Sequence, residues 1–298
     1  MTDATTTSES PPRGTAYGVG VGPGDPELLT VKAARVLSQA RVVAYFAKRG
    51  KTGNAFATAQ HYIHPEAELL PLRYPYTVEL APHDPTYIAA LRTFYDESAQ
   101  AVAARLATGR DVAILCEGDP LFYGSYMYLH DRLQSRERCC VIPGITSFAG
   151  CAAGAGIPLV STDRSFSIIP GTLPEPELEA KLRGSDAVAI IKLGRHFAKV
   201  RRVLDRLGRS ADATYFEHGT TEHERAMPLR DKLDDRSLYF ALIIVPSHDG
   251  GPYRVRPAVH DAHETRDAHE AGDARDAHEG REAHEAREAC GAHGEGAK

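Results

Sequence analysis

The stretch GVGVGPGDP, residues 18–26, decides the fold because it joins a short strand to a helix. Residues 15–21 form a β-compatible run, and residues 41–46 form the next one. Between the two runs, Asp25 is suited to cap a helix and Pro26 to occupy its first position. Apolar residues then recur on one helical face, at Leu29, Ala33, Val36, Leu37 and Ala40. The pattern predicts a β-loop-α-β unit.

The glycines of this loop do not match a dinucleotide-binding motif. In G-x-G-x-x-G starting at Gly18 or Gly20, the third glycine would fall on Pro23 or Asp25. A carboxylate at a helix N-terminus also repels a pyrophosphate, and no Gly-Lys-Ser/Thr follows. The loop therefore suits close backbone approach by an uncharged or cationic ligand. The alternative is a tight turn in which Asp25 only caps its helix.

Two further glycine-containing loops follow apolar strands. Residues 111–116 read as a buried parallel strand that leads into EGDPLFYGS at 117–125. A shorter strand, 139–142, leads into PGITS at 143–147. Since ligands of open α/β sheets gather at the carboxyl ends of strands, we expect these loops to share one pocket.

Alternating strands and helices predict an α/β protein of two domains, 15–136 and 137–247, with the connection near the polar segment 134–138. The last strand of the second domain is apolar enough to be central in its sheet. Other expected elements are a helix at 84–108, strands at 165–169, 187–191, 213–217 and 238–245, and a helix at 195–207. Residues 1–14 and 248–298 are expected to be disordered.

The net charge of −5 comes from the C-terminal tail. Residues 257–298 hold eleven acidic and five basic residues, so the rest of the chain carries about +1. A neutral body lacks the basic face that nucleic-acid binding demands, which argues against a nucleic-acid substrate. No run of residues is long and apolar enough for a membrane span, and residues 1–14 have no hydrophobic signal core. We therefore expect a cytoplasmic protein without a membrane or nucleic-acid partner.

The tail repeats the tetrad Asp/Glu-Ala-His-Glu, and it holds seven of the fourteen histidines beyond Ser247. Alanine is its main apolar residue, so it cannot bury enough surface to fold. Imidazoles bind cobalt or nickel well, so a module that binds such a metal, cobalt included, is one hypothesis for the tail and a solubilising segment is the other. No three-ligand metal spacing occurs in the body, so no metal site is predicted there. The tetrad histidines are His263, His269, His278 and His284.

Five motifs, in their order and spacing over residues 16–247, resemble the tetrapyrrole methyltransferases that use S-adenosylmethionine. They are GVGPGDPELLT at 20–30, CEGDPLFYGS at 116–125, PGITS at 143–147 with GIPL at 156–159, IIKLG at 190–194 and FEHGT at 216–220. Residues 72–77 and 117–128 look most like the branch that methylates C20 of precorrin-2 in cobalamin biosynthesis. The cobalt-containing counterpart and methylation of another tetrapyrrole carbon are the alternatives.

The resemblance implies two α/β domains with the cofactor in the cleft between them and the tetrapyrrole above it, in a homodimer. It assigns cofactor contacts to Pro23, Glu117, Gly118, Asp119, Phe122, Ser147, Phe148, Leu193 and Gly219. The chain has Glu117 and Leu193 where some relatives have Gly and Met. Asp119 is a candidate partner for a ribose hydroxyl or an amino group.

Carbon methylation requires a bound, oriented substrate and a proton acceptor. Glu117 and Tyr123 are the candidate acceptors, although Glu117 could instead only organise its loop through hydrogen bonds. The candidate partners of the eight substrate carboxylates are Arg73, Arg164, Lys192 and Arg195, each of which could also be an ordinary surface charge. The candidate aromatic contacts of the macrocycle are Tyr74, Tyr76, Tyr123 and Tyr126, for which packing in the core is the alternative.

Overall fold

A computed structural model of the chain describes residues 12–75 and 84–247. They form two five-stranded sheets with helices packed on them, which confirms the α/β class. Most of the predicted N-terminal segment 1–14 and the whole predicted tail 248–298 lie outside the described residues. So do Tyr76 and the histidine tetrads. None of the helices that the structure describes is long and apolar enough to cross a membrane.

The first sheet is entirely parallel and has the strand order β3-β2-β4-β1-β5. Its strands are β1 (Thr15–Gly20), β2 (Val42–Ala47), β3 (Glu68–Arg73), β4 (Val112–Cys116) and β5 (Arg138–Ile142). The helices of this part are α1 (Val31–Gln39), α2 (Asn54–Ala59), α3 (Pro85–Leu106) and α4 (Tyr126–Leu133). A fifth helix, α5 (Ser147–Gly154), follows β5 and packs on the second sheet. All five residues of β4 are buried, as expected for a parallel strand covered on both faces.

The second sheet is mixed and has the order β6-β7-β10-β8-β9. Its strands are β6 (Phe166–Pro170), β7 (Ala187–Ile191), β8 (Thr214–Glu217), β9 (Arg225–Pro228) and β10 (Ala241–Val245), with helices α6 (Glu175–Arg183) and α7 (Phe197–Arg206). β6 and β7 are parallel, whereas β10 runs antiparallel to both β7 and β8. β10 is buried throughout and central, which confirms the expectation for the last strand.

The predicted domain boundary after residue 136 would place β5 in the second sheet, and that placement is wrong. β5 pairs in parallel with β1, from Arg138 opposite Thr15 to Ile142 opposite Val19. The first sheet therefore closes at residue 142, and α5 leads the chain across to the second sheet, which starts at Phe166. The subdivision into two domains, with this later boundary, stays a prediction.

The helix after the first loop starts later than the sequence pattern indicates. Asp25 caps only a single 3₁₀ turn, Pro26–Leu28, by accepting a hydrogen bond from the Glu27 N–H at 2.8 Å. A second cap, Thr30, accepts from the Ala33 N–H at 3.1 Å and begins α1. The helix α1 therefore starts after Thr30 and not at Pro26, because the Thr30 hydroxyl accepts a hydrogen bond from an N–H group in its first turn.

Two cysteines, Cys116 and Cys151, are buried in the core. Cys116 ends β4 and Cys151 lies in α5. Burial raises the pKa of the Cys151 thiol to about 12 and raises that of Cys116 as well. Both side chains are therefore neutral thiols at physiological pH.

Three glycines bring the ends of β1, β4 and β5 into direct backbone contact. A Cβ atom on Gly144 would lie 2.0 Å from the Gly118 carbonyl oxygen and 2.9 Å from the Gly20 Cα. A Cβ on Gly20 would lie 2.6 Å from the Gly144 nitrogen. Gly118 also donates its N–H to the Gly22 carbonyl at 2.8 Å. No side chain fits between these backbones, so the three loops after the strands lie against one another.

Replacing Gly144 with alanine tests this contact. We expect Gly144→Ala to lower the free energy of unfolding by about 1–3 kcal/mol, because an added methyl in a filled site forces backbone shifts. Gly184→Ala is the matched control, since its Cβ would lie 3.5 Å from the nearest atom at an ordinary φ of −88°. Urea unfolding measures both; equal stability of the two variants would show that the close contact is not needed.

Candidate functional site

A cavity of about 540 Å³ lies where the loops of the two sheets meet. Its walls come from the loops after β1, β4 and β5 of the first sheet and from the loops after β7 and β8 of the second. The start of α2 and the residues just before β10 complete it. The three glycine-containing loops of the sequence thus share one pocket, as expected from their position at strand ends.

The first loop connects the two sheets. Pro23 packs against α5, where a Cβ on Gly150 would lie 2.9 Å from the proline Cγ. The Asp25 N–H donates to the Thr220 hydroxyl at 3.3 Å, and Thr220 belongs to the loop after β8. A Cβ on Gly24 would lie 2.6 Å from a Thr221 methyl group. These contacts fix one wall of the cavity.

Asp119 ties the second loop to the third. Its Oδ1 accepts from the Leu121 N–H at 2.9 Å, and its Oδ2 accepts from the Gly144 N–H at 3.1 Å. Both carboxylate oxygens therefore hold backbone in place. Asp119 still lines the cavity, so its predicted contact with a ligand stays a prediction alongside this structural role.

Glu117 is the carboxylate at the inner end of the second loop. It faces the cavity and is reached by solvent there, while protein surrounds it on its other sides. This enclosure desolvates the carboxylate and raises its pKa, and a hydrogen bond from the Asn54 side chain partly offsets the rise. Asn54 is the first residue of α2. The site thus holds a carboxyl group that binds protons more tightly than an ordinary glutamate.

Lys192 and Tyr123 meet across the cavity, one from each sheet. The Lys192 ammonium lies 4.5 Å from the centre of the Tyr123 ring, a cation–π contact. Partial burial lowers the pKa of Lys192. Both residues adopt left-handed backbone conformations, with φ of 58° and 54°, and so does His218 of the cavity wall, with φ of 49°. Such strain persists only where surrounding structure enforces it, and it concentrates at functional sites.

Seven of the nine predicted cofactor contacts line the cavity: Pro23, Glu117, Gly118, Asp119, Phe122, Ser147 and Gly219. The other two do not. Leu193 is fully buried in the core of the second sheet, so its side chain faces away from the cavity. Phe148 packs behind Phe122, with ring centres 5.8 Å apart.

The four basic residues predicted for the substrate are dispersed. Lys192 lines the cavity. Arg73 and Arg195 are exposed and lie outside the cavity wall, Arg73 as the last residue of β3 and Arg195 in the loop after β7. Arg164 precedes β6 at the opposite end of the second sheet, where it forms an ion pair with Asp186 at 3.3 Å. The prediction for Arg164 is therefore wrong, because strand direction carries it away from the site.

Of the predicted aromatic contacts that the structure describes, Tyr123 alone lines the cavity. Tyr126 is fully buried, and its ring occupies the space that a Cβ on Gly18 would need. Tyr74 packs in the same core, where its hydroxyl lies 2.5 Å from the Ser125 hydroxyl. Both therefore stabilise the first sheet, as the alternative interpretation held.

Sequence reasoning missed Tyr239 and Phe240, which line the cavity directly before β10. Tyr239 is 80% exposed and Phe240 40% exposed, and their rings stand edge to face at 4.9 Å. The pattern assigned them to an eight-residue strand, 238–245. A strand usually has five or six residues, so the length of this run indicated that its first residues lie outside the strand. Asn54 was missed as well, and nothing in its local sequence marks it.

Titratable side chains do not gather into a metal site in the part of the chain that the structure describes. No group of three His, Cys, Asp or Glu residues lies close enough there to hold an ion. The acidic residues of the cavity lining instead have separate partners: Asn54 for Glu117, backbone N–H groups for Asp119 and His223, at 3.5 Å, for Glu222.

Known proteins share both the sequence and the fold. A precorrin-2 C(20)-methyltransferase of Sinorhizobium sp is 49% identical over 239 residues, which are 80% of this chain and 98% of that protein. A cobalt-precorrin-2 C(20)-methyltransferase of Salmonella typhimurium strain LT2 is 29% identical, over 78% of this chain and 96% of its own.

The fold matches a crystal structure of uroporphyrin-III C-methyl transferase from Thermus thermophilus complexed with S-adenyl homocysteine. The TM-score is 0.56 at 24% identity, covering 78% of this chain and 92% of that one. The sequence profile of the Tetrapyrrole (Corrin/Porphyrin) Methylases matches residues 15–234, close to the range over which the motifs occur. The chain therefore belongs to the tetrapyrrole methylases.

Proposed function

We propose that the protein transfers a methyl group from S-adenosylmethionine to C20 of precorrin-2, giving precorrin-3A, in cobalamin biosynthesis. The observation that carries this proposal is the 49% identity to a precorrin-2 C(20)-methyltransferase across 98% of that relative. The cobalt-precorrin-2 relative is only 29% identical over a similar length, which favours the metal-free substrate.

The cavity has the chemistry that S-adenosylmethionine requires. Its volume lies in the range of about 300–1,000 Å³ that holds one small-molecule ligand. Lys192 is the single Lys or Arg among the described lining residues, so the site suits a ligand without phosphates. When bound, this cosubstrate supplies an activated methyl group. Pro23, Gly118 and Gly219 would hold it through backbone contacts, and Glu117 would offset its positive charge.

The macrocycle must lie across the mouth of the cavity, because one cosubstrate fills the space inside. Three aromatic side chains are exposed there, Tyr123 from the first sheet and Tyr239 and Phe240 from the second. Aromatic faces pack well on a flat conjugated ligand. We propose that they orient the substrate so that its nucleophilic carbon faces the cavity, in a site from which water is excluded.

Glu117 is the proposed acceptor of the proton that leaves C20 after methylation. Its raised pKa makes it a stronger base than an ordinary carboxylate. Asn54 holds the carboxyl group in place by donating a hydrogen bond. Tyr123 is the second candidate, because its ring borders the same cavity and its contact with Lys192 fixes its position.

We also propose that the protein works as a cytoplasmic homodimer. The support for the dimer is the resemblance to the family, in which homodimers are usual. The neutral charge of residues outside the tail supports a small-molecule substrate over a nucleic acid. Light scattering of the purified full chain measures the oligomeric state.

The product of the reaction tests the proposed function. With ¹³C-methyl S-adenosylmethionine and metal-free precorrin-2, we expect NMR to place the labelled methyl group on C20. We expect kcat/KM to be lower for the cobalt-loaded substrate, following the difference in identity to the two relatives. A label on another carbon, or faster turnover of the cobalt-loaded substrate, would assign the protein to a neighbouring activity.

Substituting Glu117 tests the proton acceptor. We expect Glu117→Gln to lower kcat by about 10²-fold or more, the usual contribution of a general base. In the wild type, activity falls as the pH drops through the raised pKa, because Glu117 then takes up a proton. This acid limb should lie above the pH at which an ordinary glutamate titrates, and it should be absent from the residual activity of the variant.

Stability provides the control for this substitution. Because the pKa of Glu117 is raised in the folded protein, the wild type loses stability as the pH rises through that pKa. A neutral amide at this position avoids the loss, so Glu117→Gln should have a higher Tm than the wild type at pH values above the raised pKa and an equal Tm in acid. Glu177→Gln, a change at an exposed residue of α6, should alter neither kcat nor Tm. Unchanged single-turnover kinetics in Glu117→Gln would remove Glu117 from the proton transfer.

A further inference from the structure

A run of basic residues follows β7 without an acidic one until Asp205. The run contains Lys192, Arg195, His196, Lys199, Arg201 and Arg202. Arg201 and Arg202 are neutralised by Asp235 at 2.9 Å and Glu175 at 3.3 Å. The four residues before them form no ion pair with any acidic residue that the structure describes.

The unpaired residues lie beside the cavity. β6 and β7 are parallel, so the loops that follow them lie at the same edge of the second sheet. The Gly171 N–H donates to the Ile191 carbonyl at 2.7 Å, which holds these two loops together. The Lys199 ammonium reaches the Leu173 carbonyl of the first of them. Lys192 lines the cavity, so the basic residues extend its wall outward from β7 toward β6.

The basic groups are close enough to repel one another. Partial burial is the largest cause that lowers the pKa of His196, and the charges of Lys199 and Arg195 lower it further. Burial also lowers the pKa of Lys199, with the charge of Arg202 adding to the effect and Glu175 opposing it. An anion bound at this edge would relieve the repulsion and gain charge-assisted hydrogen bonds.

We infer that Arg195, His196 and Lys199, here named the basic edge, bind peripheral carboxylates of the macrocyclic substrate. The inference rests on the proposed function, since precorrin-2 carries eight carboxylates and must extend beyond the cavity mouth. The basic edge continues outward from Lys192, at the position where the rim of a macrocycle lying across the mouth would reach. Arg195 and Lys199 of the basic edge add positive charge to that of Lys192, the single Lys or Arg of the described cavity lining.

Porphyrin binding tests the basic edge apart from turnover. The probes are uroporphyrin III, which has eight carboxylates, and coproporphyrin III, which has four. We expect the wild type to bind the first more tightly, and Arg195→Gln/Lys199→Gln to weaken that binding by about tenfold, each charge contributing a factor of a few. Binding of coproporphyrin III should change less, and the affinity for S-adenosylhomocysteine should not change.

Arg202→Gln/Arg206→Gln is the matched control, because it removes the same charge from α7 at residues neutralised by Glu175 and Glu179. We expect it to leave uroporphyrin III affinity within about twofold, since exposed paired charges contribute little. The salt dependence of binding should flatten only in the Arg195/Lys199 variant. The inference would be overturned if both double variants lost the same affinity for uroporphyrin III, or if the wild type bound uroporphyrin III no more tightly than coproporphyrin III. Failure to methylate precorrin-2 would refute the proposed function without affecting this result.

Discussion

The close contact of Gly20, Gly118 and Gly144 is the constraint on which the site depends. Backbones at this distance leave no room for a Cβ, and the contact holds the ends of three neighbouring strands together. Asp119 then satisfies the Gly144 N–H that this packing would otherwise leave without a partner. Glu117 lies between Cys116, the last residue of β4, and Gly118, so the same contact that closes the cavity floor also fixes its carboxylate.

The second sheet completes the site because it meets these loops through small residues. Gly150 lets α5 approach Pro23, and Gly219 lets the loop after β8 pack on Cys151. The cavity is thus a gap between two sheets, and most of its walls are loops that start at the end of a strand. Lys192 and His218 directly follow β7 and β8, and both have a left-handed backbone conformation. This conformation ends the extended strand and turns both residues toward the cavity.

The sequence predicted local structure well, because glycines, caps and apolar runs act over a few residues. It did not assign β5 to its sheet, since pairing with β1 joins residues more than a hundred positions apart. It placed Arg164 at the site because its position in the chain gave no information about the end of β6 at which it lies. Leu193 was predicted to contact the cofactor but is buried in the core, whereas Tyr239 was predicted to lie in a strand but lines the cavity. Neither outcome is encoded locally, because burial depends on what another segment covers.

The placement of charge follows from the opposite signs of the two proposed ligands. A sulfonium cation is favoured in a cavity whose described lining has several carboxylates and a single Lys or Arg, whereas a polycarboxylate needs several cations. Basic residues grouped inside the cavity would repel the methyl donor, so the two requirements must be met in different places. Lys192 stands at the junction, and its contact with the Tyr123 ring directs its charge toward that ring's π face. The basic edge lies outside the described cavity lining, where water and salt screen its charges, so it can attract carboxylates while opposing the donor less than charges inside the cavity would.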